Sequence, residues 1–183
     1  MREKGRVKQA MIEKKEFNRQ QGVTLLETLV VLALLGMVLA WSFPSILNTL
    51  ETRNLENTAR EILTIFQRAK YLAVEEKAPY RVRFFNDNGP WQYVIEMENT
   101  PGNWVTIPGF AGKTISTKYN VTISLPSEIV TFSSMGFITD FDTNLNSITL
   151  QSPKLENYNQ PDVRSVSVFA GGSIRYEESQ SEE

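Results

Sequence analysis

The sequence contains no histidine and no cysteine among its 183 residues. Without cysteine there are no disulfides, thiol nucleophiles or cysteine-based zinc sites, and without histidine there is no catalytic triad built on imidazole. No serine/lysine motif takes their place. We therefore expect no catalytic residues, no enzymatic activity, no cofactor and no metal.

The charge is unevenly distributed, although the net charge is only −2. Residues 1–22 hold seven Lys/Arg and three Asp/Glu, a net charge of +4, whereas the remaining residues hold 12 basic and 18 acidic side chains, a net charge of −6. The length suits one globular domain with an additional segment. A basic head before an acidic body is not typical of a generic soluble enzyme.

A long apolar run follows the basic head. Residues 23–47 read VTLLETLVVLALLGMVLAWSFPSIL, and Glu27 is the only ionisable side chain among them. About 20 helical residues cross a hydrocarbon layer of ~30 Å, so the run predicts a transmembrane helix. By the positive-inside rule, residues 1–22 stay in the cytoplasm and the acidic body is exported.

Two other interpretations of the run are a cleaved secretory signal peptide and a plain single-pass anchor. Val38-Leu39-Ala40 resembles a small-x-small cleavage site before Trp41. Neither interpretation accounts for Glu27, since a charge at the membrane centre costs about 2.5–3.5 kcal/mol. For Glu27 itself, the alternative is an interfacial charge whose side chain extends to the membrane surface.

The segment Gln21-Gly22-Val23-Thr24-Leu25-Leu26-Glu27 resembles the type III signal of type IV pilins and pseudopilins. The resemblance implies cleavage by a prepilin peptidase between Gly22 and Val23 and N-methylation of Val23. It also implies that Glu27 is retained for assembly, pairing with the N-terminal amine of an adjacent subunit. Pro44 stands where the family often has a helix-bending proline. The missing Cβ of Gly22 would let the peptidase approach the backbone closely.

The same resemblance implies a structural function and a location. We expect a minor pilin or pseudopilin that helps to initiate or cap a type II secretion pseudopilus or a type IV pilus. The implied partners are the prepilin peptidase, other pilins or pseudopilins, the inner-membrane assembly platform and membrane lipid. The implied location is the inner membrane, crossed once, with the C-terminal domain exported and placed in a periplasmic or extracellular filament after assembly.

The pattern downstream of Pro44 predicts an amphipathic helix over residues 48–78 that continues the membrane helix. An apolar stripe with alternating spacings of four and three residues marks its buried face, and the helix is expected to stop before Pro79. The stripe consists of Leu55, Ala59, Ile62, Phe66, Ala69 and Ala73.

Residues 79–176 change to the alternating pattern of strands, and residues 177–183 form an acidic tail. Asn86 to Pro90 is a turn signal between two alternating runs, which predicts a β-hairpin. Further strands are predicted at 104–107, 121–125, 129–132, 147–150, 163–169 and 173–176. The fold class is therefore α+β, with a long N-terminal helix packed against antiparallel sheets.

A narrower resemblance concerns the body of the chain. Segments Phe132–Gly136, Ser147–Leu150 and Gly171–Arg175 are similar to the minor pseudopilin H of type II secretion and to the FimT-like minor pilins. Some FimT-like proteins bind DNA for uptake, so a pilus-associated DNA-uptake or adhesion module is the alternative function. A membrane-anchored exported domain unrelated to pili is the other alternative.

Three local patterns in the body of the chain are candidate binding sites. Asp140 to Asn144 has calcium-loop spacing, but Leu145 replaces the required glycine, which favours a polar loop. Trp91 and Trp104 fit a sheet core better than an aromatic binding surface. The basic residues between Lys77 and Arg83 could contact phosphate, but the net charge of −6 over residues 23–183 opposes DNA binding, and we expect no nucleic-acid partner.

Overall fold

The protein was analysed as a computed structural model, which describes residues 23–87, 89–110 and 112–181, without the side chains of residues 41–45. The chain divides into two compact units, Met1–Phe43 and Pro44–Glu183. Helix α1 spans Leu25–Glu75 and contributes residues to both units. The predicted cleavage residue Gly22 and the basic leader lie outside the described residues.

Helix α1 has the amphipathic face that the sequence predicts in its second part. All six stripe residues, from Leu55 to Ala73, are at most 1% exposed. The helix ends at Glu75, before Lys77, whose φ of +57° belongs to the left-handed region that commonly terminates helices. Pro79 then prevents any continuation. The sequence predicts a membrane span over residues 23–47; within the described part of the chain, no helix is both long and apolar enough to cross a membrane.

The described part of the second unit contains nine strands and two short helical turns. The strands are β1 Tyr80–Phe85, β2 Gln92–Thr100, β3 Asn103–Thr106, β4 Lys113–Thr114, β5 Asn120–Ser124, β6 Ile129–Phe132, β7 Ser147–Gln151, β8 Val163–Val168 and β9 Ile174–Ser179. A 3-10 turn covers Pro126–Glu128 and helix α2 covers Pro153–Glu156.

Two antiparallel sheets are formed. Sheet A has the order β3-β2-β1-β6, with β4 also paired to β2, and sheet B has the order β5-β7-β8-β9. The strands interleave along the chain, because β5 joins sheet B before β6 returns to the edge of sheet A. The predicted hairpin is β1 and β2, with Val82 opposite Ile95. The predicted α+β class with antiparallel sheets is confirmed.

One hydrophobic core serves α1 and both sheets of the second unit. Phe66 of the helix packs against Phe84 and Phe132 of sheet A at ring-centroid distances of 5.9 and 6.5 Å. Ile148, Leu150 and other inward residues of sheet B belong to the same buried cluster. The helix and both sheets are therefore held together by one continuous set of buried side chains.

Strand β9 extends into the segment predicted to be an acidic tail. The register pairs Glu177 with Ser165, Glu178 with Arg164 and Ser179 with Val163. The sequence pattern does not show this pairing, because acidic residues at an edge strand lack the apolar alternation of a buried one.

Candidate assembly segment and the junction of the two sheets

The first turn of α1 is capped by Thr24. The backbone N–H of Glu27 donates to Thr24 Oγ1 over 3.2 Å, and the N–H of Thr28 donates to the Thr24 carbonyl oxygen over 3.1 Å. These are the contacts of an N-cap residue. The Thr-x-x-Glu spacing is that of a capping box, and a carboxylate in the first turn is favoured by the helix dipole. The sequence carries the signal for this cap in the spacing of Thr24 and Glu27.

Glu27 is exposed in this first turn. The Glu27 carboxylate forms no ion pair with any of the described residues. Val23 directly precedes the capping threonine and is 68% exposed. Helix α1 thus begins two residues after the predicted cleavage point, and the carboxylate of its first turn, Glu27, is open to a partner from outside the described residues.

The helix around Glu27 is apolar on every side. The exposed fractions of its large apolar side chains between Leu25 and Leu39 range from 46% for Val30 to 82% for Leu25. A helix that is hydrophobic all round is stable where it is surrounded by apolar material, either protein or lipid. Helix α1 runs through position 44, where the side chains are not described, so the predicted kink at Pro44 stays a prediction.

Glu96 forms a charged centre on the face of sheet A that points away from the helix. Arg81 Nε lies 2.6 Å from one carboxylate oxygen and Arg83 Nη2 lies 2.9 Å from the other. The Arg81 guanidinium also lies 4.3 Å from the centre of the Trp104 ring, and that of Arg83 lies 4.8 Å from the Phe85 ring. Sequence reasoning missed this cluster, because the alternating pattern assigns Glu96 to solvent.

The titration of Glu96 reflects two opposed causes. Burial alone would raise the pKa of Glu96, but the hydrogen bonds and positive charges of Arg83 and Arg81 outweigh burial and hold its pKa below the ordinary value. The Glu96 carboxylate stays ionised. It neutralises part of the positive charge between Lys77 and Arg83, the candidate site for phosphate contact. Trp91 is partly buried against the core, as predicted, whereas Trp104 stacks with Arg81 and is not among the core residues, so the expectation of core packing is wrong for Trp104.

The Asp140–Asn144 segment forms a local turn. The backbone N–H of Asn144 donates to Asp142 Oδ1 over 2.8 Å, which is an Asx turn. In the part of the chain that the structure describes, acidic side chains form no group of three that could hold a metal ion. The observed contacts give Asp142 a role in shaping the loop.

Asp162 is a fully buried carboxylate that fastens the C-terminal end of the described chain. It accepts hydrogen bonds from the Ser181 backbone N–H and from Ser181 Oγ, both over 2.9 Å, and from Gln151 Nε2 over 3.1 Å. Burial alone would raise the pKa of Asp162, but these hydrogen bonds lower it overall. Ser181 is thereby tied to the segment between α2 and β8.

Two turns meet over α1 where the sheets come together. Gly136 and Gly172 have φ angles of +80° and +72°, which favour glycine. Lys70 of the helix donates from Nζ to the Gly172 carbonyl oxygen over 2.9 Å. The backbone N–H of Ile138 donates to the Ala170 carbonyl oxygen over 3.0 Å. Two motifs that the sequence showed as separate turns therefore form one junction.

Comparison with known proteins supports the assignment of the N-terminal segment. Residues 17–43 match the family model described as the prokaryotic N-terminal methylation motif. This match shows that the predicted processing segment carries an N-terminal methylation motif, while the narrower assignment to pseudopilin H or the FimT-like minor pilins stays a prediction. None of the curated proteins compared with the chain matches it significantly.

Two solved structures with a similar fold are crystal forms of the type IV minor pilin FimU of Pseudomonas aeruginosa. The form in space group P21 has a TM-score of 0.48 and 18% sequence identity, and the similarity covers 69% of this chain and 90% of FimU. For the form in space group P65 the TM-score is 0.45 and the identity 17%, with coverages of 67% and 91%.

Proposed function

We propose that this chain, which carries the prokaryotic N-terminal methylation motif, is a minor pilin or pseudopilin, a structural subunit of a membrane-assembled filament. The observation that carries the proposal is the motif match over residues 17–43. The capped helix start at Thr24 supports it, because cleavage after Gly22 would leave only Val23 and the capping Thr24 before a preformed helix.

The roles of the individual residues follow from chemistry at the edge of a membrane. Cleavage after Gly22 creates an α-amine on Val23, and its methylation keeps the positive charge. When apolar helices pack together away from water, an isolated Glu27 carboxylate is costly and an opposite charge offsets that cost. The amine of a neighbouring subunit is such a charge, and the pairing would fix the axial register of the filament.

The proposed location is the inner membrane, with the second unit exported. The charge asymmetry supports this orientation, since the basic residues 1–22 precede the apolar segment and the acidic residues follow it. The described side chains of this unit offer packing, hydrogen bonds and ion pairs, as a structural subunit requires, and the proposed place of the subunit is the start or tip of a filament.

N-terminal sequencing of the membrane-extracted protein tests the processing step. We expect the mature chain to begin at Val23 and mass spectrometry to find one added methyl group on it. A chain that begins at Trp41 indicates a signal peptide, and one that begins at Met1 indicates an uncleaved anchor; either result contradicts the proposal. Gly22→Val is expected to block cleavage, whereas Gly36→Val, at an open position of α1, is its matched control.

Glu27→Ala tests the assembly step separately. The variant is expected to be cleaved normally but to be lost from sheared filaments, because the carboxylate needed for pairing is missing. Thr28→Ala, one residue further along the same turn, is the control and is expected to be incorporated normally. Normal incorporation of Glu27→Ala would refute the proposed pairing.

A further inference from the structure

A groove of about 410 Å³ lies on the face of sheet A that points away from α1. The strand register aligns its side chains across four strands, because Trp104 of β3 is opposite Glu98 of β2. In the same way, Thr131 of β6 is opposite Arg81 of β1. The volume falls in the range of small-molecule sites in proteins. The lining includes Arg81, Glu98, Trp104, Ser127, Thr131 and Asp140.

Trp104 and Arg81 supply an aromatic ring and a fixed hydrogen-bond donor. Trp104 is partly exposed, and the Arg81 guanidinium lies 4.3 Å from the centre of its ring. The Nε–H of Arg81 donates to Glu96 over 2.6 Å, which holds the guanidinium on the sheet. The N–H groups of its two terminal nitrogens are left as donors for a ligand. A donor that is already in place lowers the entropic cost of binding.

Two carboxylates supply acceptors. Glu98 accepts the Gly102 N–H on Oε1 over 2.7 Å, which orients this carboxylate and leaves Oε2 for a ligand. Asp140 is exposed in the loop after β6. This loop is fastened to the strand, because the Thr139 N–H donates to the Thr131 carbonyl oxygen over 3.1 Å. Acceptors therefore lie on both the β2 side and the β6 side of Arg81.

The 3-10 turn beside the groove is strained. Ser127, which lines the groove, has a φ of +50°, and Glu128 has a φ of +61°. Residues other than glycine seldom adopt this left-handed region. Such conformations persist where the surrounding structure fixes them, and they are concentrated at functional sites. The turn is thus a second, independent sign that this face binds a ligand.

The charges of the lining indicate a neutral ligand. An anionic ligand would meet the carboxylates of Glu98 and Asp140, and a cationic ligand would meet the Arg81 guanidinium. A neutral ligand that both donates and accepts hydrogen bonds can use all three groups. Hydrogen bonds to charged partners are also stronger than those between neutral groups.

Among neutral ligands, a sugar fits the groove better than a peptide. An extended peptide is recognised at a sheet edge through main-chain hydrogen bonds, whereas this groove lies on a sheet face, where the strands are already paired. A pyranose ring carries hydroxyl groups around its rim and apolar C–H groups on its two faces. The hydroxyl groups match Arg81 and the carboxylates, and a C–H face matches the indole ring of Trp104.

We infer that this groove binds a neutral sugar, as a mono- or disaccharide unit of a glycan. Trp104 is the stacking surface, and the sugar hydroxyl groups bond to Arg81, Glu98 and Asp140. The inference goes beyond the proposed filament function and does not rest on it, since the lining lies entirely in the second unit. It gives the outer face of sheet A a role in attachment to a glycan.

Saturation-transfer NMR tests the site with four disaccharides that share a β-1,4 linkage. Cellobiose and N,N′-diacetylchitobiose are neutral, cellobiouronate is anionic, and chitobiose is cationic at about pH 6, where its amines are protonated. The full chain is purified in a detergent without a sugar head group, because a glycosidic detergent would compete. We expect saturation of a neutral disaccharide and at least about fivefold less of either charged one.

The two neutral probes distinguish the source of the sugar. Stronger transfer to N,N′-diacetylchitobiose indicates an N-acetylated glycan, and stronger transfer to cellobiose indicates a glycan of unsubstituted hexoses. Either result supports the inference.

Variants locate the binding. Trp104→Ala is expected to weaken the affinity at least about tenfold, whereas Trp104→Tyr keeps an aromatic ring and should stay within about threefold of the unaltered chain. Phe137→Ala is the control, because Phe137 is a 53% exposed aromatic residue outside the groove. Asp140→Asn, at an exposed loop position, is expected to weaken binding about threefold without changing the unfolding midpoint.

Three results would overturn the inference. The first is no saturation transfer to either neutral disaccharide. The second is a preference for chitobiose or cellobiouronate, which would make the groove an amine site or an anion site. The third is an equal loss of affinity in Trp104→Ala and Phe137→Ala. N-terminal sequencing of the same preparation keeps the proposed function separate, since a start at Val23 without saturation transfer removes the sugar site and leaves the filament function standing.

Discussion

A Cβ atom added to Gly172 would lie 1.9 Å from the carbonyl oxygen of Gly136. Real Cβ atoms essentially never come within 3.0 Å of another group, and here the obstacle is backbone, which cannot swing aside as a flexible side chain can. This contact joins the turn after β6 of sheet A to the turn between β8 and β9 of sheet B. The two turns can approach this closely because residue 172 is a glycine and has no side chain.

Gly172→Ala is expected to destabilise the second unit by about 3 kcal/mol, because it combines the backbone clash with a strained positive φ. Gly171→Ala is the matched control, since its Cβ would meet nothing within 4 Å, and it should change stability by no more than about 0.5 kcal/mol. Urea unfolding of the full chain in detergent, followed by tryptophan fluorescence, measures both. Equal midpoints for the two variants would contradict the contact.

Glu96→Gln is expected to destabilise the protein by about 1–3 kcal/mol, because Arg81 and Arg83 lose the charge that holds them on sheet A. The control is Glu177→Gln, which removes the exposed pair with Arg175; both side chains of that pair are more than half exposed. Exposed pairs contribute at most about 1 kcal/mol, so the control should unfold nearly as the unaltered chain does. The same urea titration provides the comparison.

The stability of the protein should also depend on pH through Glu96. Its pKa is lowered in the folded state, so its ionised form contributes stability that is fully present above the ordinary pKa of a free glutamate. That contribution is lost as the pH falls through the lower, folded-state pKa. Unfolding midpoints measured from pH 7 to pH 3 should fall less steeply for Glu96→Gln than for the unaltered chain.

Asp162→Asn is expected to loosen the C-terminal end, because an uncharged amide is a weaker acceptor for the Ser181 N–H and hydroxyl. A cost of about 1–3 kcal/mol corresponds to amide exchange at least about fivefold faster at Ser181 and in β9. Asp140→Asn, at an exposed position, is the control. Hydrogen exchange read by mass spectrometry decides the matter, and unchanged protection in Asp162→Asn would show that the buried carboxylate does not hold this segment.

Thr24→Ala is expected to fray the first turn of α1, since the hydroxyl that accepts the Glu27 N–H is lost. Loss of an N-cap costs about 1 kcal/mol, or roughly fivefold faster exchange of the Glu27 amide. Thr24→Ser keeps the hydroxyl and should behave like the unaltered chain. Amide exchange followed by NMR in micelles separates the two, and identical rates would argue against the cap.

The sequence could predict those features whose signal is local. The stripe from Leu55 to Ala73 follows the helical period and reached the core as predicted, and the two alternating runs on either side of Asn86–Pro90 form the predicted hairpin. The segment before Glu27 combines a glycine, a hydroxyl residue and an apolar run in a fixed order, and the motif match at residues 17–43 confirms this segment.

Features that depend on strand register could not be predicted in this way. Glu96 is buried only because β1 brings Arg81 and Arg83 beside it, and a single alternating run carries no information on its neighbour. Asp162 lies in the connection between α2 and β8, and its hydrogen-bond donors, Gln151 and Ser181, are distant from it along the chain. The contact of Gly136 with Gly172 likewise follows from the packing of two turns on one helix.

The interleaved strand order has a consequence for folding. Because β5 belongs to sheet B and precedes β6 of sheet A, the chain crosses from sheet A to sheet B and back before sheet A has all its strands. A chain that emerges N-terminus first has α1 and the β1–β2 hairpin available early, but the edge of sheet A closes only after a strand of sheet B has been made. Because both sheets share one core with α1, they should unfold in a single cooperative step.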